Sequence, residues 1–265
     1  MDLSQRQVHL WLTDPLAIGD AGLLAAYAGL LTDGEQARRA RYRFERDRHT
    51  FLVTRALVRT VLSRYCDVRP ADWRFVDNEY GRPAIAEPVV GPPPSSNLCF
   101  NLSHTDGLIA CAVAWDREIG VDVERVGDRA TVAIAEDFFA EPEVAALRKL
   151  AEPERIQQFH AIWTLKESYI KARGMGLAIP LDQFWFDLDR GPQPTIEIDS
   201  RLDDSAETWQ FERQRPTSDH HLALAIRRQG EPDLSVAKRH TVPLAGDSEP
   251  SWLRSPQASV APEVD

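Results

Sequence analysis

Residues 154–188 read ERIQQFHAIWTLKESYIKARGMGLAIPLDQFWFDL, and the change of period inside this stretch decides the fold. Ile156, Phe159, Trp163 and Ile170 recur at helical spacing, so residues 154–173 form a helix that Gly174-Met175-Gly176 stops. Pro180-Leu181-Asp182 then leads into an aromatic strand over 184–188, with further strands expected over 195–198, 209–213 and 222–227. The same succession stands earlier in the chain. Phe51, Arg55, Val58, Leu62 and Tyr65 make a helical stripe, Pro70-Ala71-Asp72-Trp73 leads into a strand over 74–76, and strands follow over 98–103, 108–115 and 119–125. Residues 79–83 read as a turn and 88–97, with four prolines and a glycine, as a rigid loop. A strand near 8–12 opens the chain, and Thr32-Asp33-Gly34-Glu35 has the spacing of a capping box. One supersecondary order used twice predicts an α+β protein of two similar α/β lobes related by a pseudo-twofold, with a cleft between them. The expected division is 1–117 for the first lobe, 118–243 for the second, and a flexible tail over 244–265 that is rich in Pro, Ser and Ala.

At 265 residues the chain is long enough for two modest lobes without disulfide staples, given roughly 150 residues per ordinary domain. Its 31 basic and 41 acidic side chains leave a net charge of −10, which excludes a surface that binds nucleic acid as a polycation. The three cysteines, Cys66, Cys99 and Cys111, form no C-x-x-C pair, so a reducing compartment is expected. The start, MDLSQRQVHLWL, lacks the basic and apolar regions of a signal peptide, and no run reaches the ~20 apolar residues of a membrane span. A cytoplasmic protein with no membrane partner is the expectation.

Three features point to chemistry. In Gly120-Val121-Asp122-Val123-Glu124 the acids alternate with valines, so on a strand both carboxylates leave one face and together can share a cation; a merely solvated acidic face has the same pattern. Glu167 interrupts the apolar stripe of the long helix, and an inward carboxylate there must pair or bind metal. Lys166 and Lys171 flank it, as handling of phosphate requires, whereas an i,i+4 pair of Glu167 with Lys171 on a solvated face would contribute only about 0.3–0.5 kcal/mol. Against the overall acidity, residues 35–64 hold nine arginines and three acids. Arg38, Arg41, Arg46 and Arg48 are candidate phosphate forks, and an Arg-rich solubilising helix face is the competing explanation. His104, at a strand end, can donate to a phosphate.

Phe100-Asn101-Leu102-Ser103-His104, the Gly120–Glu124 segment, and Trp163-Thr164-Leu165-Lys166-Glu167-Ser168-Tyr169-Ile170-Lys171 with Gly174 and Gly176-Leu177 occur in that order, joined by Glu79-Tyr80-Gly81-Arg82-Pro83. In this set the chain resembles the 4′-phosphopantetheinyl transferases of the larger, two-lobed, surfactin-synthetase-activating class, over residues 10–240 or so. The resemblance implies that family's fold and a Mg²⁺-dependent transfer, with Mn²⁺ as the alternative ion. The arm of coenzyme A would pass to a serine of an apo acyl, peptidyl or polyketide carrier protein, releasing adenosine 3′,5′-bisphosphate. It implies Asp122, Glu124 and Glu167 as metal ligands, and Lys171, Ser103, His104 and Lys166 on phosphate oxygens. Tyr80, Gly81, Arg82 and Pro83 would lie along the adenine and ribose. Glu167, or a water held by Glu143, is the implied base, and Arg38, then Arg46 or Arg48, the implied contact of the 3′-phosphate. A chain that supplies both lobes of its own cleft is expected to act as a monomer. The competing functions are a silent carrier-protein or coenzyme A-binding module, and another Mg²⁺-dependent enzyme that cleaves pyrophosphate.

Overall fold

Alternation along the central strands builds four layers. In chain order the first lobe comprises β1 (Gln7–Thr13), α1 (Ala21–Ala28), α2 (Asp33–Ala40), α3 (Glu45–Leu62), β2 (Arg74–Asp77), β3 (Pro83–Glu87), β4 (Leu98–Thr105) and β5 (Leu108–Trp115). The second comprises β6 (Ile119–Arg125), α4 (Ala133–Phe138), α5 (Glu141–Arg148), α6 (Glu152–Arg173), β7 (Phe184–Asp187), β8 (Thr195–Ile198), β9 (Trp209–Thr217) and β10 (His220–Arg227); β11 (Ser235–Val242) and β12 (Gly246–Ser248) end the fold. This computed structural model describes residues 1–88, 97–127, 133–188, 191 and 193–248. The rigid loop expected over 88–97 therefore lies mostly outside the described residues.

Trp11, Ile109, Cys111 and Val113 face α3, whose Leu52, Val53, Leu57 and Val61 are buried against them. The alternate residues Val8, Leu10, Leu12, Ala110, Ala112 and Ala114 face the second lobe, where Ile119, Val121, Val123, Leu222, Leu224 and Ile226 meet them. The opposite face of β10, with Ala223 and Ala225, packs under α6 against Leu165, Tyr169, Phe184 and Phe211. The layers are thus α3, the first sheet, the second sheet and α6, and period-two burial of the strands specifies them. The strand order β6-β10-β9 in the second sheet repeats β1-β5-β4 in the first, and the β7–β8 hairpin repeats β2–β3. Both copies place a 3₁₀ turn at Pro-x-Asp before the hairpin, Pro70–Asp72 and Leu181–Gln183.

The expected capping box is present: Thr32 Oγ1 accepts from Glu35 N at 3.3 Å, and Glu35 Oε2 accepts from Thr32 N at 3.0 Å. Two expectations need correction. Residues 235–243 do not belong to the second lobe, because β11 pairs in parallel with β1 and extends the first sheet to β12-β11-β1-β5-β4. Of the expected tail, 244–248 form the turn and strand β12, and 249–265 lie outside the described residues. The turn at 79–83 connects β2 to β3, the second strand having escaped the sequence reading because Pro83-Ala84-Ile85-Ala86-Glu87 shows no polar–apolar alternation.

The lobes also meet edge to edge, β4 beside β6, without a backbone ladder. Val121 N donates to Asn101 Oδ1 at 2.9 Å, Val123 N to Ser103 Oγ at 3.2 Å and Arg125 N to Thr105 Oγ1 at 3.3 Å. Side chains spaced by two on β4 thus replace the carbonyls that the free amides of β6 need. The site is built on this seam.

Candidate active site

Gly120 explains how the acids of β6 come to the helix. A Cβ at this position would stand 2.0 Å from the Ser168 carbonyl oxygen and 2.4 Å from Ala172 N, so strand and helix touch backbone to backbone. Asp122 and Glu124 leave β6 on the same face, and α6 brings Glu167 and Lys171 to them, one turn apart. Lys171 Nζ donates to Asp122 Oδ1 at 2.6 Å and to Ser103 Oγ at 2.9 Å, and Ser103 Oγ itself donates to Asp122 Oδ1 at 2.9 Å. Asp122 is buried and its second oxygen, Oδ2, has no hydrogen-bond partner.

The electrostatics are those of crowded carboxylates. Burial, then the charge of Asp122, pushes Glu124 up to about 7, with Lys171 and the Trp163 side chain opposing the shift. Glu167 is raised for the same two reasons, burial first and Asp122 second, against the attraction of Lys171. One lysine for three acids leaves the cluster with surplus negative charge in a partly desolvated place. Among the described residues no three His, Cys, Asp or Glu side chains already converge at metal-ligand distances. The residues nevertheless fit a hard divalent cation: all are oxygen donors, Asp122 Oδ2 is buried and unpaired, and a cation would lower the cost of ionising Glu124.

His104 follows Ser103 at the end of β4 and is held below the ordinary imidazole value by partial desolvation, then by the charges of Lys171 and Arg55. By its spacing Arg55 belongs to the apolar stripe of its helix. Its guanidinium, 14 % exposed, lies over the Phe51 ring at 5.2 Å and pairs with Glu35 at 3.5 Å. Burial, then the pull of Glu35 and the push of Arg38, governs its proton. A charge inside an apolar stripe was the signal, as it was for Glu167. Arg38 is exposed, with its guanidinium also over the Phe51 ring at 5.7 Å. Arg46 is exposed at the start of α3, beside Asp47 at 3.4 Å, whereas Arg48 is turned to Glu45 at 2.7 Å and to the Tyr42 carbonyl. Arg41, the C-cap of α2, is exposed.

Four expected residues are placed otherwise. Glu143 and Lys166 are both fully buried and bind each other, Nζ to Oε2, at 2.7 Å. Glu143 also accepts from Phe186 N at 3.0 Å and Ala140 N at 3.3 Å, while Lys166 donates to the carbonyls of Leu181 and Phe184. With every charge-bearing atom engaged in the core, neither reaches a water or a phosphate in the cleft; the pair joins α5, α6 and β7. Arg82 also turns inward, Nη1 to the Ala172 carbonyl at 2.8 Å and Nη2 to the Ile119 carbonyl at 3.2 Å. Pro83 begins β3 half-buried, leaving Tyr80, 46 % exposed, and Gly81, at φ 83°, as the open part of that turn. On the far side of Glu124, His221 pairs with it in register across β6 and β10. Its Nε2 meets Gln157 Oε1 at 3.0 Å, and burial holds it down to about 3.

Two lobes of the same design, with a serine and histidine from one and acids and a lysine from the other, match two consecutive family models. Residues 118–225 match the 4′-phosphopantetheinyl transferase superfamily, and residues 21–115 match the 4′-phosphopantetheinyl transferase N-terminal family. The chain belongs to the 4′-phosphopantetheinyl transferases and is an enzyme of that class. It is similar to the 4′-phosphopantetheinyl transferase HetI of Nostoc sp. (34 % identity over 179 residues, covering 67 % of this chain and 73 % of HetI). It is likewise 34 % identical to gsp of Aneurinibacillus migulanus over 56 % of this chain and 57 % of gsp, and to Sfp of Bacillus subtilis over 60 % and 66 %. The family boundary between 115 and 118 falls between β5 and β6, where the duplicated unit begins again.

Proposed function

We propose that the protein transfers the 4′-phosphopantetheine arm of coenzyme A to a serine of an apo acyl, peptidyl or polyketide carrier protein and releases adenosine 3′,5′-bisphosphate. The observation that carries this reading is the Ser103–Asp122–Lys171 triangle, flanked by Glu124, Glu167 and His104 at the seam. Asp122, Glu124 and Glu167 would hold Mg²⁺, which when bound supplies neutralisation of charge on the pyrophosphate oxygens. Lys171, 28 % exposed with two N–H groups committed to Asp122 and Ser103, keeps its remaining N–H for a phosphoryl oxygen. His104 donates to phosphate from the first lobe. Arg38 and Arg55 extend the cationic track for the nucleotide phosphates, and Tyr80 and Gly81 offer the open turn beside the adenosine.

The carrier serine must lose its proton as its oxygen attacks. Glu167 fits this task, because burial and Asp122 raise its pKa toward neutrality, where a carboxylate is a better base. Glu143 does not, since its oxygens are bound to Lys166 and two backbone amides. The carrier helix is expected to dock at the rim of the cleft, and the chain to act as a monomer.

Incubating the protein with coenzyme A, Mg²⁺ and a panel of apo carrier proteins should add the mass of the arm to at least one carrier. Breakdown of coenzyme A without carrier loading, or no reaction with any carrier, overturns the reading. Glu167→Gln should then slow loading by at least ~10²-fold with the fold intact by circular dichroism.

A further inference from the structure

The helix α6 ends under the first lobe. Its terminal carbonyls have no intrahelical partners, and the negative end of the helix dipole gathers there. The β2–β3 turn supplies what is missing: Asn78 Nδ2 donates to the Gly174 carbonyl at 2.7 Å, and Arg82 Nη1 to the Ala172 carbonyl at 2.8 Å. With Nη2 the same guanidinium reaches the Ile119 carbonyl at 3.2 Å, at the start of the strand that carries Asp122 and Glu124. The turn is braced for this, since Asn78 Oδ1 accepts from Tyr80 N at 3.0 Å and from Arg82 N at 2.9 Å, and Asn78 N donates to the Arg82 carbonyl. Gly174, at φ 68°, has the left-handed backbone that favours glycine at a helix end, and a Cβ there would stand 3.0 Å from Arg82 Cδ, so a side chain would push against the clamp.

We infer that Asn78 and Arg82 are positioning residues: from the first lobe they fix the end of α6 against β6, and so set the contact between Lys171 and Asp122. Ala172 is the next residue to Lys171, and Ile119 lies three residues before Asp122. The guanidinium therefore spans the two elements whose approach makes the site. Two of its N–H groups are committed to carbonyls of α6 and β6, so coenzyme A affinity is expected to depend on it little. This inference rests on the proposed transfer reaction for its kinetic readout only.

The test compares the full-length protein with Arg82→Ala, Arg82→Lys and Asn78→Ala. For each, kcat and KM for coenzyme A are measured at saturating apo carrier, coenzyme A binding by calorimetry, and hydrogen exchange along α6. Arg82→Ala should lower kcat by ~10-fold or more, because small displacements of reacting groups are costly, and leave the coenzyme A Kd within about twofold. Amides 170–174 should exchange faster while the first half of α6 keeps its protection, and Arg82→Lys, which can still reach one carbonyl, should recover part of kcat. A weakened coenzyme A Kd with unchanged kcat would make Arg82 a ligand contact and overturn the inference. So would unchanged kcat per folded molecule with unchanged exchange. If Arg82→Ala does not fold, Asn78→Ala decides, since it removes the bond to the Gly174 carbonyl and two bonds within the turn while keeping the Arg82 guanidinium; unaltered exchange at 172–174 overturns the inference. Failure of the wild-type protein to load any carrier would refute the reaction, and the exchange comparison would still decide the clamp.

Discussion

Charge placement at single residues separates the acids proposed to hold metal from the structural one. Asp122, Glu124, Glu143 and Glu167 are all set into apolar surroundings, yet only Glu143 has a full set of donors. A carboxylate with all its oxygens paired is finished; Asp122 is not, and burial, then the charge of Asp122, pushes Glu124 up to about 7. A metal ion that binds there must displace the proton of Glu124 at lower pH. Mg²⁺ should therefore raise the thermal midpoint more at pH 8 than at pH 5.5, and Glu124→Gln should shrink that difference; equal shifts at both pH values in differential scanning fluorimetry would contradict the assignment. Sequence pattern singled out Glu167 because a charge out of register with its apolar period announces itself, and Asp122 and Glu124 because acids alternating with valines leave a strand on one face. It could not distinguish Lys166 from Lys171. Both flank Glu167, but their side chains leave the helix on different faces, one toward the Leu181 and Phe184 carbonyls and the other toward Ser103. Arg82 misled for a related reason: a basic residue in a turn reads as open to solvent, and its two carbonyl partners lie 37 and 90 residues away.

Among the elements, the approach of β6 to α6 carries the site. It depends on the absence of a side chain at Gly120 and on small residues opposite, Ser168 and Ala172. Gly120→Ala puts a methyl into the helix backbone, and neither side can yield without moving the acids or the lysine. The expected cost is about 3 kcal/mol or more, read as a lowered denaturation midpoint with loss of transfer. A variant with wild-type stability would show that the helix can withdraw. The long helices α3 and α6 and the central strands were legible from periodicity, and the start of α2 from the capping box at Thr32, whereas the short helices α1, α4 and α5 were not. The shallow edge strand β3 was not, because Pro83-Ala84-Ile85-Ala86-Glu87 has too little apolar contrast to mark a period.

For the molecule as a whole, β11 is the element that sequence pattern could not place. Its partner β1 lies at the other end of the chain, Gln7 opposite Ser235 and Leu12 opposite His240. No local period records such a pairing. The return is secured by Thr13 Oγ1 to the Thr241 carbonyl at 2.8 Å, by Tyr27 Oη to the Pro243 carbonyl at 2.7 Å, and by the Arg64–Asp247 ion pair. Ending the chain after Leu234 should uncover the edge of β1 and the underside of Tyr27. The product is expected to be poorly soluble, with its midpoint lowered by more than 10 °C or so. A soluble truncation that melts with the full chain would show that β11 only decorates the first sheet.

The side-chain seam between β4 and β6 has one more consequence. Asn101, Ser103 and Thr105 satisfy amides that, in a polypeptide carrying a single copy of the unit, would have to be met by a separate molecule. Tethering the two copies turns that encounter into an intramolecular event, governed by an effective concentration that the connection between β5 and β6 fixes. Both sides of this seam thus come from one chain, and forming it does not depend on protein concentration.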